Sequence, residues 1–192
     1  RAALGEGSDA PVALPVAVNA DSLATWFEPV LATASHGYYA RAIAARLGIS
    51  LVPLAMDEHG VRPDAVQKAH REAHLSALYV PPTIQNPLSI TMPPERRAEL
   101  LRVVEKLGLI VIEDGVYGFL DDEAPLAALA PDSCIVLDSL SKKVAPGLAL
   151  GIVVAPPHLR ESVMSAVGAA REPRRAATTF FALDWSWAPV SR

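Results

Sequence analysis

The chain is poor in several features that would fix a function class at once. It holds 1 cysteine in 192 residues, Cys134. That excludes a disulfide framework and any cysteine-rich zinc site, and it points to a reducing compartment. It has no excess of basic charge: 17 Lys+Arg stand against 21 Asp+Glu, a net charge of -4. A bare nucleic-acid binder would be basic. It has no uninterrupted apolar run of about 18 residues, so no membrane-spanning helix is expected. The charged-then-apolar opening of a signal peptide is missing as well, so the expected location is cytoplasmic. There is no internal repeat and no low-complexity linker. What is abundant is apolar surface. With 51% hydrophobic and 20% charged residues, the composition excludes intrinsic disorder and suits one domain, or one and a fraction, with a real core.

Along the chain, residues 1–36 carry no clear period and read as an irregular arm. Tyr39, Ile43 and Leu47 share one helical face, with Gly48 as the stop. Ile49 to Met56 reads as a strand, Asp57 to Gly60 as a turn, and Pro63 to His74 as a helix with proline in its first turn. Leu75 to Val80 is a strand and residues 81–90 a loop. Thr91 to Glu95 looks like a capped helix start, and that helix runs to Leu107 before Gly108. Leu109–Ile112, Cys134–Leu137 and Leu150–Val154 are short apolar runs of the kind found in strands covered on both faces. Pro156 to Ala170 reads as a helix. Strand and helix alternate, so the expected class is α/β, a three-layer sandwich around a mainly parallel sheet. Residues 37–170 form the expected domain. Residues 171–192 read as an irregular tail in which Trp185 and Trp187 mark a packing or interface segment.

Polar residues gather where the strands end. Gln85-Asn86-Pro87 follows the strand ending at Val80. Glu113, Asp114 and Tyr117 follow the strand ending at Ile112. Asp138, Ser139, Ser141, Lys142 and Lys143 follow the strand ending at Leu137. Open α/β sheets bind ligands at those ends. The chemistry that fits their joint appearance is that of pyridoxal phosphate. It needs a lysine withdrawn from bulk water to form a Schiff base, for which Lys142 is placed. It needs a carboxylate to keep a proton on the pyridine nitrogen, which suits Asp114. Asn86 and Tyr117 offer donors to the ring's phenolate oxygen, and Ser139 and Ser141 offer hydroxyls to the phosphate.

The stretches Asn86-Pro-Leu-Ser89, Asp114-Gly-Val-Tyr117 and Ser139-Leu-Ser-Lys142, followed by Ala145-Pro-Gly-Leu148, resemble the ordered motifs of class I/II aminotransferases of fold type I. The wording is most similar to the aminotransferase-like domain of MocR-type regulators in the GntR family. The resemblance is strong over residues 75–159 and weaker over 37–73. It implies an incomplete large pyridoxal-phosphate-binding domain, with Lys142 as Schiff-base lysine and general base. Asp114 would sit on the pyridine nitrogen, Asn86 and Tyr117 on the phenolate oxygen, and Ser139 and Ser141 on the phosphate. The implied reaction is amino-group transfer between an amino acid and a 2-oxo acid in a homodimer. The alternatives are an effector-sensing domain whose DNA-binding domain lies outside this chain, and a non-catalytic fragment.

The sequence departs from that family where many relatives carry a phosphate-clamping arginine; here the position is Ala149, and Lys143 is the nearest point charge that can stand in. Ser89 replaces a loop glycine. The ring-stacking aromatic is expected within His36–Tyr39. The glycine-rich phosphate cup and the substrate-carboxylate arginine are not recognisable, since Arg171, Arg174 and Arg175 read as a solvated or interface patch. The chain therefore reads as the core of a larger protein. Three other patterns were set aside. His70, Glu72 and His74 lack a further zinc ligand, and Asp121-Asp-Glu123 reads as a solvated loop. A Ser-Lys hydrolase dyad would leave Asn86, Asp114 and Tyr117 without roles. Cys134 reads as core.

Overall fold

The computed structural model describes residues 30–33, 48–86, 88–145, 150–169 and 179–183, of which 30–33, 167–169 and 179–183 are described by backbone only. The helix expected at Tyr38–Leu47, the aromatic at His36–Tyr39, Ala149, the arginines from Arg171 and both tail tryptophans lie outside these residues.

Among the described residues the strands are, in chain order, β1 Val30–Thr33, β2 Ser50–Pro53, β3 Met56–Asp57, β4 Gly60–Val61, β5 Ala77–Val80, β6 Ile110–Asp114, β7 Cys134–Ser139, β8 Leu150–Val154 and β9 Thr179–Leu183. The α-helices among them are α1 Pro63–Ala73, α2 Pro94–Leu107, α3 Leu126–Leu129, α4 Leu140–Lys143 and α5 Arg160–Ala169. Seven strands make one sheet in the order β2-β1-β5-β6-β7-β8-β9, and β3 and β4 pair in a small hairpin. Every pairing in the large sheet is parallel except β7 with β8.

Side-chain alternation divides the sheet into two faces. Leu78, Val80, Val111 and Cys134 point into a core with α1 and α2, where Val66, Ala69, Leu100 and Val104 meet them. Ile135 and Val153 point the other way, to Leu159 and Val163 at the start of α5. The result is the expected three layers. Cys134 is core, and burial pushes its thiol up to about 12, which leaves it without thiolate reactivity.

Several local expectations changed. Strand β1 falls inside the stretch read as an irregular arm. Its four residues are too few to show a period. Strand β9 lies inside the tail read as irregular, although Thr-Phe-Phe-Ala-Leu is itself a β-favouring run. The strand expected at Ile49–Met56 is split by Leu54-Ala55 into β2 and the hairpin, whose turn carries the expected Asp57–Gly60. Strand β6 runs to Asp114 and alternates between buried and half-buried residues, because the cover on its second face is thinner. Helix α2 has no side-chain cap; Pro93 precedes it, while the Thr91 hydroxyl accepts the Ile84 N–H at 3.2 Å. Gly108 ends α2 as expected, at φ 63°.

Two arginines on adjacent positions of α2 bind the layers together. Arg96 forms a bidentate pair with Asp57 on the hairpin, at 3.0 and 2.8 Å. Arg97 is fully buried, at 0% exposure. Its Nε donates to the Met92 carbonyl at 2.8 Å and Nη1 to the Ala124 carbonyl at 2.8 Å. Its Nη2 donates to the Thr83 hydroxyl at 2.9 Å and to the Pro82 carbonyl at 3.3 Å. A buried cation survives only when its donors are used, and this one spends them on both ends of the loop after β5 and on the segment before α3.

Two outcomes follow. Arg97→Met, by leaving those acceptors unpaired, costs about 3–5 kcal/mol of stability. Arg97→Lys recovers only part, since one ammonium cannot span four acceptors; urea unfolding followed by circular dichroism measures both. The Arg96 guanidinium holds the Asp57 carboxyl below its ordinary value. Its contribution is therefore complete above the unfolded value and is lost as pH falls through the lowered one. Arg96→Gln should cost about 1 kcal/mol at neutral pH, and the gap to wild type should close on acidification in a pH series of the same unfolding curves.

Candidate active site

Parallel strands β5, β6 and β7 all end at the same edge of the sheet, and each delivers one of the polar clusters there. The junction of β6 and β7 is the tightest part. Past Asp114, the Gly115 N–H donates to the Leu137 carbonyl at 2.8 Å. A Cβ on Gly115 would come within 3.3 Å of that oxygen and of the Val136 side chain. Glycine at this position lets the chain turn without separating the two strands.

Asp114 is held from two sides. Its Oδ1 accepts the Val116 N–H at 3.2 Å, and its Oδ2 accepts the Tyr79 hydroxyl. Tyr79 is 3% exposed. Burial, and then the neighbouring carboxylate, push its phenol well above its ordinary value, so it remains a neutral donor. Next to Asp114, Glu113 points into the opposite core and accepts the Leu126 and Ala127 N–H groups, each at 3.1 Å. Burial raises its carboxyl, against the pull of those two donors at the start of α3. The consecutive acids thus have opposite fates: Glu113 anchors a helix and Asp114 faces the sheet edge.

Ser139 closes β7 and caps α4. Its Oγ accepts the Ser141 N–H at 3.1 Å and lies 2.7 Å from the Ser141 hydroxyl. The Lys142 ammonium sits 6.0 Å from the centroid of the Tyr117 ring, within cation–π range. The structure therefore brings Asp114, Tyr117, Ser139, Ser141 and Lys142 to one edge. Asn86 is exposed on the neighbouring loop after β5, and among the described contacts none joins its side chain to the others.

Two expectations are corrected. Lys142 was expected to be withdrawn from water, but it is exposed, because α4 is a single turn at the open end of the sheet with no described residue covering it. Lys143, the stand-in for a phosphate clamp, instead pairs with Asp138; its charge is already matched. Among the described residues no three His, Cys, Asp or Glu are grouped to hold an ion.

The loop bearing Asn86 is shaped by a residue given no role from sequence. Gln85 is 2% exposed. Its Oε1 accepts the Leu88 N–H at 3.1 Å, and its Nε2 donates to the Asn86 carbonyl at 2.9 Å. Main-chain pairing of Gln85 with Ile90 closes the loop. The closure forces positive φ on two residues with side chains, Ile84 at 48° and Ser89 at 56°. Such strain is tolerated where surroundings over-determine it. Tyr79 and Arg97 escaped sequence reading because each acts through partners distant in the chain, whereas Gln85 acts within its own loop, which carries no periodic pattern. The available signals were faint: a tyrosine near a strand end, and an arginine on the apolar face of α2.

The family model for aminotransferase class I and II matches residues 28–173, well over half of the chain. The chain belongs to the class I and II aminotransferase family. An HTH-type transcriptional regulator of Bacillus subtilis, YdeF, is 32% identical over 129 residues, 66% of this chain and 28% of the regulator. An aromatic amino acid aminotransferase of Schizosaccharomyces pombe is 36% identical over 119 residues, 57% of this chain and 25% of that enzyme. The crystal structure of an archaeal alanine:glyoxylate aminotransferase superposes with a TM-score of 0.64 at 30% identity, over 77% of this chain and 40% of the other. This aminotransferase-family chain thus spans about a quarter of the two sequence relatives and two fifths of the structural one.

The positive φ at Ser89 gives a direct test of the loop geometry. A left-handed residue with a Cβ is strained by about 1–2 kcal/mol. Glycine removes that strain at an unfolded-state entropy cost of about 0.5–1 kcal/mol. Ser89→Gly should therefore stabilise the protein by about 0.5–1 kcal/mol, read as a higher urea midpoint.

Proposed function

We propose that the chain is the lysine-bearing core of a pyridoxal-phosphate-dependent aminotransferase that moves an amino group between an amino acid and a 2-oxo acid. The observation that carries this reading is the arrival of Asp114 and Lys142 at the same edge of adjacent strands β6 and β7, with Tyr117 beneath the ammonium. The donor set fits that cofactor. Asp114 keeps free lone pairs after its two hydrogen bonds. The Ser139–Ser141 hydroxyl pair has a donor to spare. Among the described residues Lys142 has no carboxylate partner, whereas Lys143 does.

When bound, the pyridinium ring supplies an electron sink for cleavage at the substrate's α-carbon. Asp114 keeps the proton on the pyridine nitrogen. Lys142 would hold the cofactor through Nζ and would serve as general base for the proton at the substrate's α-carbon. Tyr117, and Asn86 from the loop after β5, donate to the ring oxygen, while Ser139 and Ser141 donate to the phosphate. The same reading carries a homodimer and a cytoplasmic location.

A second reading has its own support, the similarity to the regulator YdeF. In that reading the same site senses the cofactor or an amino-acid adduct for a DNA-binding domain elsewhere in the protein. Both readings require a lysine adduct. Borohydride trapping followed by mass spectrometry should locate pyridoxal phosphate on Lys142, and Lys142→Ala should lose both the label and the visible absorbance band. No label on the wild-type chain would overturn both. Release of a 2-oxo acid after adding amino acids separates the enzyme from the sensor, which would bind without turnover.

A further inference from the structure

We propose that Tyr79 is a positioning residue for the cofactor site, fixing the Asp114 carboxylate through its buried hydroxyl. The inference rests on the reading of Asp114 as the partner of the pyridine nitrogen, and goes beyond it by naming what holds that partner in place.

Tyr79 stands opposite Ile112 in the parallel register of β5 and β6. Asp114 is two residues beyond Ile112, so both side chains lie on one face of the sheet, diagonal to each other at a separation that a tyrosine can span. The phenol meets Oδ2, while the main chain at Val116 holds Oδ1. A carboxylate held at one oxygen still swings about that contact; held at both, by donors on different elements, it has one orientation. Main chain supplies the first donor whatever the side chains are. Only Tyr79, among the described residues, supplies the second. The site edge is open and α4 is exposed, so water competes for every lone pair of Asp114 that is not engaged. A donor that is 3% exposed is protected from that competition. Burial and the neighbouring carboxylate hold its phenol above its ordinary value, so it stays a neutral donor.

The test uses the 192-residue chain with pyridoxal phosphate as probe. Tyr79→Phe keeps the ring and removes only the hydroxyl. The expected result is a roughly 10-fold weaker equilibrium for adduct formation, in line with a lost hydrogen bond to a charged group. The pH profile of the visible adduct band should shift, with trapping still on Lys142. In the Asp114→Asn background the same substitution should have little further effect, because the two act as one unit. Equal affinity and an unchanged pH profile in Tyr79→Phe, or losses that simply add in the double variant, would overturn the proposal while leaving the cofactor reading intact. Absence of any adduct on the wild-type chain overturns the reading and the proposal together. Should Tyr79→Phe not fold, Asp114→Asn tests the contact from the other side. The ultraviolet tyrosinate titration of its slowest-ionising tyrosine should move to lower pH, and an unmoved titration counts against the proposal.

Discussion

The buried guanidinium of Arg97 is the constraint on which the rest of this structure depends. It projects from helix α2 to where the loop after β5 and the segment before α3 converge, and both of these contribute acceptors. None of the acceptors is a charged group, so the site is a set of dipoles arranged around a cation. Burial alone would push the guanidinium down, and the nearby Glu113, Glu123 and Asp121 oppose that. Because both ends of the loop after β5 are bound to one rigid side chain, its interior can carry strain at Ile84 and Ser89 without opening. Asn86 rides on that strained interior.

The same logic of one group holding another runs through the sheet edge. Gly115 brings β6 and β7 to close approach, Tyr79 and Val116 share Asp114, and Ser139 terminates its strand and starts α4 with the same oxygen. Reactive groups in this layout stand on the ends of regular elements, and the groups that aim them are buried a layer below. Among the described residues the site is therefore formed by geometry more than by desolvation: Lys142 is exposed although β7 and the Ser139 cap place it at the sheet edge.

Much of the fold was legible in the chain. The apolar runs at Leu109–Ile112, Cys134–Leu137 and Leu150–Val154 announced three strands, and proline and glycine marked the ends of α1 and α2. The site motifs were legible for a related reason. Asp114 closes β6, and Lys142 and Asn86 come shortly after β7 and β5, so local order along the chain places them at one edge. The strands β1 and β9 were missed because they stand in stretches without the strand–helix alternation that framed the other runs, and they draw their stability from neighbours in the sheet. Arg97 and Tyr79 were missed because their partners lie 5–27 and 35 residues away, and no local pattern records such a pairing.

Sequence by itself determined the class of the fold, the family and the identity of the groups at the strand ends, since these follow from apolar periodicity and from motifs contiguous in the chain. Only the tertiary structure decided which groups are buried and paired. It sent Glu113 to a helix start and Asp114 to the sheet edge, matched Lys143 to Asp138, and left Lys142 in water. The reason is physical: strand parity assigns neighbours to opposite faces, but what waits on each face is set by elements that come from elsewhere in the chain.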